Sequence, residues 1–336
     1  MNTYCTYDEI KSQTSAWSQA LDIVSEMSFP RGEEYDQVIF TGCGSTYYLS
    51  LSAATLYGEL TGRPACALPG SELWLNPQPF PARQKVLLVA VSRSGTTTET
   101  LRAVEKFKSG RTGDVLAISN YHEALSRLAD TRIVLDRGQE ESVAQTRSFA
   151  SMYVAANALA ARMAGKDDLL AAMKGLPAAG ERLIATYELM AQRMGEDLDL
   201  ERFYFLGSGS RYGLACEVSL KMKEMTLTHS EPFHILEFRH GPVSMVNQHT
   251  LIAGMLSDAN RPQEAKVLME VAALGAQVLN MAESDAHVSF GSNIPESVRG
   301  VLYLPVLQLM AFYRSVAKGL NPDRPTNLTA VVKLDL

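Results

Sequence analysis

Residues 92–100 carry six hydroxyl side chains, Ser92, Ser94, Thr96, Thr97, Thr98 and Thr100, in nine positions around Gly95. They follow the apolar run KVLLVAV, residues 85–91, and precede an amphipathic stretch, so the order is strand, glycine-containing turn, helix. One Ser or Thr suffices to cap a helix, because a single side-chain oxygen accepts from a first-turn amide. The excess points to an anion. A helix N-terminus offers unpaired N–H donors and the positive end of the macrodipole, and hydroxyls add donors around the remaining oxygens of a phosphate. No Gly-Lys-Ser/Thr signature accompanies the turn, so a nucleotide triphosphate is not indicated.

A second reactive group lies in CEVSLKMKEMTLTHSEPFHILEFRHGP, residues 216–242. Glu217, Lys221 and Glu224 recur at i, i+4 and i+7 and share one helical face. On spacing alone they read as a solvated ion-pair stripe. Four of the six histidines, His229, His234, His240 and His249, crowd into 21 residues, and His240 sits in Arg-His-Gly-Pro, a turn sequence that would expose its imidazole. Their spacings of five, six and nine residues put no pair on one helical face in the manner of His-x-x-x-His, so no metal is expected. A carboxylate and an imidazole suit a sugar phosphate. Moving a proton between neighbouring carbons needs a base over the sugar, and opening the ring needs an acid at its oxygen. Glu224 and His240 are the candidates.

The elements that must position these groups follow from pattern and length. The 336 residues, 46% apolar and 20% charged, suggest about two globular domains with sizeable cores. A net charge of −6 without any Lys/Arg run argues against nucleic acid as a partner, and no apolar run approaches the length expected to span a bilayer. The N-terminus lacks a signal-peptide pattern, so a cytoplasmic protein is expected. The four cysteines form no Cys-x-x-Cys pair and read as buried free thiols. VIFTGCGSTY (38–47) and FYFLGSGSRY (203–212) align without gaps at an offset of 165, which predicts two copies of one lobe. Each copy begins strand, Gly-x-Gly turn, helix. In the first, a strand at 85–91, a helix near 97–108 and a strand at 114–118 follow. Alternating strands and helices predict an α/β fold, parallel sheets flanked by helices in three α/β/α layers, with ligands at the carboxyl ends of the strands. The expected division is an N-terminal helical segment (1–34), a first lobe (35–165), a helical connection (166–196) and a second lobe (197–336). Helices are expected over 8–27, through 148–196 up to Pro177 and beyond, and over 306–318, and the tail LTAVVKLDL reads as a short final strand.

The motifs CGSTY, SELW, SRSGTTTETL, ESVAQTRSF, LACEVSLKMKE, EFRHGP and NPDRPTNL occur in an order that resembles the sugar isomerase (SIS) domain proteins over nearly the whole chain. The chain is most similar in pattern to the tandem-SIS isomerase half of glucosamine-6-phosphate synthase and to stand-alone deaminases and deglycases. The resemblance implies two tandem SIS lobes, with Ser45, Thr46, Ser92, Arg93, Ser94 and Thr97 holding the 6-phosphate of a sugar. It places Val143 and Gln145 along the sugar, Glu224 as the base between C1 and C2, Lys221 beside it, and His240 as the ring-opening residue lent by another subunit. It thereby implies a homodimer or a dimer of dimers, a sugar 6-phosphate or amino sugar 6-phosphate as ligand, and no cofactor.

Two departures shape the expected reaction. The synthases begin with a glutaminase domain that this sequence does not show, so no built-in ammonia source is expected. They also read Asn-Leu-Ala-Lys near the C-terminus and use that lysine for a Schiff base. Here the sequence is Asn327, Leu328, Thr329, Ala330, and Lys333 lies an odd three residues further on, which in an extended strand points it to the opposite face. Arg93 in turn replaces a glutamine common in the synthases. A substrate already bearing nitrogen at C1 or C2 needs no enzyme lysine, so the expected reaction is C–N cleavage by a fructosamine 6-phosphate deglycase. The alternatives are a glucosamine-6-phosphate deaminase, an aldose–ketose phosphosugar isomerase, or a non-catalytic sugar-phosphate sensor.

Overall fold

The structure, a computed structural model, describes residues 4–76, 84–110, 113–332 and 334. The chain forms two compact units. One comprises Ser12–Glu140, Arg147–Lys174 and the described residues from Thr329 onward; the other comprises the described residues up to Lys11, Glu141–Thr146 and Gly175–Leu328. Helix α1 (Cys5–Glu26) contributes to both.

The first unit runs β1 (Gln37–Gly42), α2 (Ser45–Thr61), β2 (Ala65–Pro69), α3 (Gly70–Leu75), β3 (Val86–Val91), α4 (Thr98–Gly110), β4 (Gly113–Ser119), α5 (Ala124–Leu128), β5 (Thr131–Val134), α6 (Arg147–Met163) and α7 (Asp167–Met173). Its sheet has the order β2-β1-β3-β4-β5, all parallel, with Phe40 opposite Val89 and Val89 opposite Leu116. Every residue of β3 is buried, as expected of a strand covered on both faces. Alternate residues Val86, Leu88 and Ala90 join Leu73 of α3, Ala103, Val104 and Phe107 of α4 and Leu125 of α5 in one core. Helix α2 packs on β1 and β2 and against α6, which completes the third layer.

The second unit contains α8 (Leu176–Glu196), β6 (Arg202–Leu206), α9 (Arg211–Thr226), β7 (His229–Phe233), β8 (Thr250–Met255), α10 (Arg261–Ala273), β9 (Gln277–Ala282), β10 (Val288–Ser289) and α11 (Leu304–Ala317). Its parallel sheet has the order β10-β9-β8-β6-β7. Taken from the other edge, that is β7-β6-β8-β9-β10, the topology of the first sheet. The expected repeat and three-layer α/β/α class are therefore present. In each sheet the connections leave the two central strands, β1 and β3 or β6 and β8, in opposite directions, which opens a crevice at their carboxyl ends.

Three expectations change. Pro177 lies in the first turn of α8, where its missing N–H costs nothing, and the chain breaks earlier, at Gly165 with φ of 66°. The described tail residues from Thr329 form no strand; their ties run to side chains, from Arg93 to the Ala330 carbonyl and from the Leu334 amide to Thr98 Oγ1, so no ladder forms. Residues 300–317 do reach the length and apolarity of a membrane span, but 83% of that window is buried inside the structure as core. Lys333 lies outside the described residues.

Candidate active site

The hydroxyl-rich turn sits at the crevice of the first sheet. Strands β1 and β3 are neighbours, so the turn Cys43-Gly44-Ser45-Thr46 lies beside the turn that follows Val91. Gly44 adopts φ of 57° and ψ of −123°, and a Cβ at Gly42 would come within 2.5 Å of Thr46 Oγ1, so both glycines are steric necessities. Among the described residues no side chain caps helix α2; the Tyr47 and Tyr48 amides donate to the Gly44 carbonyl, which leaves the Ser45 and Thr46 amides as the donors an occupant of the turn could use. Thr46 Oγ1 instead accepts the Cys43 amide at 2.9 Å and donates to the Cys43 carbonyl at 3.0 Å. In the second turn Ser92 Oγ accepts the Gly95 amide at 3.2 Å and lies 3.2 Å from Thr97 Oγ1, while Ser94 Oγ accepts from the Thr96 amide and hydroxyl, each at 3.1 Å. The structure therefore brings Ser45, Thr46, Ser92, Ser94 and Thr97 around one crevice, a donor-rich lining able to take a compact anion. Arg93 is buried there too, but its guanidinium turns to the Ala330 carbonyl at 2.7 Å and to Glu140, 3.8 Å away.

The second copy of the crevice is closed by the chain itself. Arg211, at the start of α9, donates to Glu264 at 3.2 Å and also to Glu296. Glu264 accepts the Ser257 amide at 2.6 Å, and Glu296 accepts the Asp258 amide at 2.8 Å. Two carboxylates of the protein thus occupy the donors that an external anion would use. Burial pushes the Glu264 carboxyl above the usual glutamate range, against the pull of the Ser257 amide and Arg211.

The stripe on α9 is not solvated. Lys221, with a side chain 2% exposed, lies 3.5 Å from Glu217, itself 1% exposed, and donates to Glu224, which retains 19% exposure. Burying charges is costly unless they are paired, and here one ammonium is shared between two carboxylates. Only Glu224 reaches the surface, its position fixed from behind by Lys221. Helix α9 is buried on nearly all sides because α11 and the β6–β7 face cover it, which the spacing of charges could not reveal.

Val143 and Gln145 stand on the segment 141–146, which belongs to the same unit and is pinned by residues far away in sequence. Glu9 of α1 accepts the amides of Glu141 and Ser142 at 2.6 and 3.2 Å and also the Ser142 hydroxyl, and the Val143 amide donates to the Asp323 carbonyl at 2.9 Å. Asp323 in turn caps α1, accepting from the amides of Cys5 and Thr6. Among the described residues the buried Gln145 side-chain oxygen has no donor, which makes it an acceptor available to a hydroxyl. Glu9 carries no sequence signal for this role; Asp323 lies within the NPDRP motif, and Glu217 was visible only as a member of the charge stripe.

Glu224 and His240 are not brought together within one chain. Tyr204 and Leu206 on one face of the second sheet pack with Ile235 and Phe238 of the β7–β8 connection and with Val267, Leu268 and Val271 of α10. The other face carries Phe203, beneath the Arg314 guanidinium of α11, and Ser230, whose hydroxyl donates to the Ser219 carbonyl of α9. Glu224 therefore belongs to the α9 face, near the end where β7 begins. His240 follows β7, exposed, next to Arg239, which pairs with Glu270 of α10 at 2.7 Å. Within one chain, the sheet lies between the Glu224 carboxylate and the His240 imidazole.

An SIS domain model matches residues 33–162 and 199–288, and the chain belongs to the SIS family. It is an enzyme of that family. A glutamine–fructose-6-phosphate aminotransferase of Sulfolobus acidocaldarius is 31% identical over 311 residues, 89% of this chain and 50% of that protein. The chain spans about half the length of the curated relatives it matches. Glucosamine-6-phosphate deaminase from Thermotoga maritima superposes with a TM-score of 0.81 at 27% identity, covering 98% of this chain and 100% of that one. The tagatose-6-phosphate ketose/aldose isomerase of Escherichia coli shares the fold, with a TM-score of 0.83 at 21% identity over 97% of this chain and 96% of that one.

Proposed function

We propose that this enzyme cleaves the C–N bond of an amino sugar 6-phosphate, with a fructosamine 6-phosphate as substrate and glucose 6-phosphate plus an amine as products. The observation that carries the reading is at residue 330. Ala330 stands where the resemblance implies a Schiff-base lysine, and its carbonyl is held by Arg93. Lys221, the amine beside Glu224, is tied to two carboxylates and is not a free nucleophile. A substrate that already carries nitrogen needs neither.

In this reading Ser45, Thr46, Ser92, Ser94 and Thr97 hold the 6-phosphate, with Arg93 turned to the Ala330 carbonyl beside them, and Val143 and Gln145 line the sugar. Glu224 removes a proton from C1, acidified by the C2 carbonyl, and returns it to C2 while the proton on nitrogen passes to O2, which leaves an imine between C1 and nitrogen. Water adds to C1, the C–N bond breaks, and the electron pair and a proton leave with the amine. Substrate and one water are consumed without redox change. His240 of a second copy opens the sugar ring, in a homodimer or dimer of dimers; the sheet between Glu224 and His240 of one chain supports that assignment, and exposed Leu236 and Met245 on the same connection offer apolar contact.

A second reading, glucosamine 6-phosphate to fructose 6-phosphate and ammonia, is favoured by the full-length likeness to the Thermotoga deaminase. There Glu224 moves the proton from C2 to C1. Assaying purified protein with glycated amino acid 6-phosphates, glucosamine 6-phosphate and fructose 6-phosphate separates the readings by the amine or ammonia released. Borohydride trapping during turnover leaves the protein unlabelled if substrate nitrogen does the work, and Lys333→Ala retains most activity. A lysine adduct, or turnover confined to plain hexose phosphates, overturns C–N cleavage.

A further inference from the structure

Arg93 and Ala330, the two positions where the sequence departs from the synthase pattern, touch each other across 237 residues of chain. Arg93 opens the hydroxyl-lined turn, and its own carbonyl is fixed by the Asn120 amide at 3.1 Å. Its guanidinium reaches outward from that fixed base. Nη2 donates to the Ala330 carbonyl at 2.7 Å, and Nη1 lies 3.8 Å from Glu140, whose side chain is fully buried and also accepts the Ser148 hydroxyl. Four residues beyond Ala330, the Leu334 amide donates to Thr98 Oγ1 at 3.1 Å, on the first residue of α4. The tail is therefore tied at both ends of the turn, at Arg93 and at Thr98.

The tie at residue 330 is to the backbone, so it does not depend on the side chain there. The described tail residues join no strand ladder, so a charge-assisted hydrogen bond from a guanidinium that also pairs with Glu140 is a strong restraint on them. We infer that Arg93 is a positioning residue that fastens the C-terminal tail across the hydroxyl-lined turn, so that tail order and anion affinity at the turn are one coupled property. The coupling is reciprocal: a tail in place limits the access of water to the turn and strengthens its electrostatics, and an anion in the turn holds the tail down. The inference rests on the reading of that turn as the phosphate cradle.

The test compares wild type, Arg93→Gln, a chain ending at Leu328 and the combined variant, with inorganic phosphate as the probe. Carboxypeptidase trimming of the tail, followed by mass spectrometry, is expected to quicken about 10-fold or more in Arg93→Gln, because trimming tracks the population of the released tail. Arg93→Lys, which keeps the charge but not the planar fork, restores part of the protection. Calorimetry is expected to show phosphate weakened similarly in both single variants and no further in the combined one. Trimming at the wild-type rate in Arg93→Gln overturns the inference, as does additivity in the combined variant, which makes Arg93 a direct phosphate ligand. Absence of phosphate binding to wild type refutes the cradle reading, while the trimming comparison still decides the clasp.

Discussion

Mixing two inactive variants tests whether Glu224 and His240 act across chains. Strand β7 has five residues, about 16 Å at ~3.3 Å per residue, and it separates the end of α9 that bears Glu224 from the connection that bears His240. The two groups also lie on opposite faces of the sheet, so no side-chain rotation unites them within a chain. Glu224→Gln, which removes the proposed base, should cost about 10²–10⁴-fold, and His240→Ala removes the proposed ring-opening acid. Equal mixing with full exchange makes about half of the dimers mixed. Each mixed dimer holds one site with both residues intact and one with neither, so recovery approaches about 25% of wild-type activity per chain in a twofold assembly. The assay is amine release before and after exchange, with mixed dimers quantified by native mass spectrometry of tagged chains. An open-chain substrate analogue should be spared most of the His240→Ala defect, which separates loss of ring opening from loss of fold. Mixed dimers with no recovered activity refute the argument, and so does a monomer with full activity.

Two further outcomes follow from the local geometry. Replacing Ser94 and Thr97 by alanine should weaken phosphorylated sugars by about 10- to 150-fold per hydroxyl, since each charge-assisted hydrogen bond is worth about 1.5–3 kcal/mol; calorimetry showing equal binding of phosphorylated and free sugars to wild type would remove the cradle. Glu188 accepts Tyr7 and Tyr313 hydroxyls at 2.6 and 2.8 Å and pairs with Lys11; burial alone would raise its carboxyl, but these donors hold it below the usual 4.5. A depressed carboxylate stabilises the fold above its unfolded value and loses that contribution as pH falls through its folded value. Glu188→Gln should therefore cost roughly 1–3 kcal/mol at pH 7, and its melting-temperature deficit should shrink as pH falls below 4.5; a deficit independent of pH would assign the effect to packing.

Local order and periodicity along the chain encode one part of this protein. The offset of 165 between two Gly-x-Gly turns fixed the repeat, and the sheets indeed share one topology. The apolar run 85–91 followed by hydroxyls placed Ser92, Ser94 and Thr97 at a strand-to-helix turn, because a turn and the helix it opens are made by consecutive residues. The short strands β2, β5 and β10 carried no comparable signal; they exist because a neighbour pairs with them. The tail looked like a strand for the same reason in reverse, since its apolar residues favour extension but the described ones pair with no strand. The remainder depends on contacts between elements far apart along the chain. Spacing put Glu217, Lys221 and Glu224 on one face of a helix, but whether that face meets water or protein depends on α11 and the sheet that cover it. Glu224 and His240 are 16 residues apart, and nothing in that interval tells that a sheet comes between them. Arg211 sits in a copy of the same Gly-x-Gly turn, yet Glu264 and Glu296, from distant segments, fill its crevice. Arg93 and Ala330 were two unrelated departures until folding joined them in one hydrogen bond. A sequence specifies which way a side chain points from its own element; which atoms it finds there is set by the packing of elements remote along the chain.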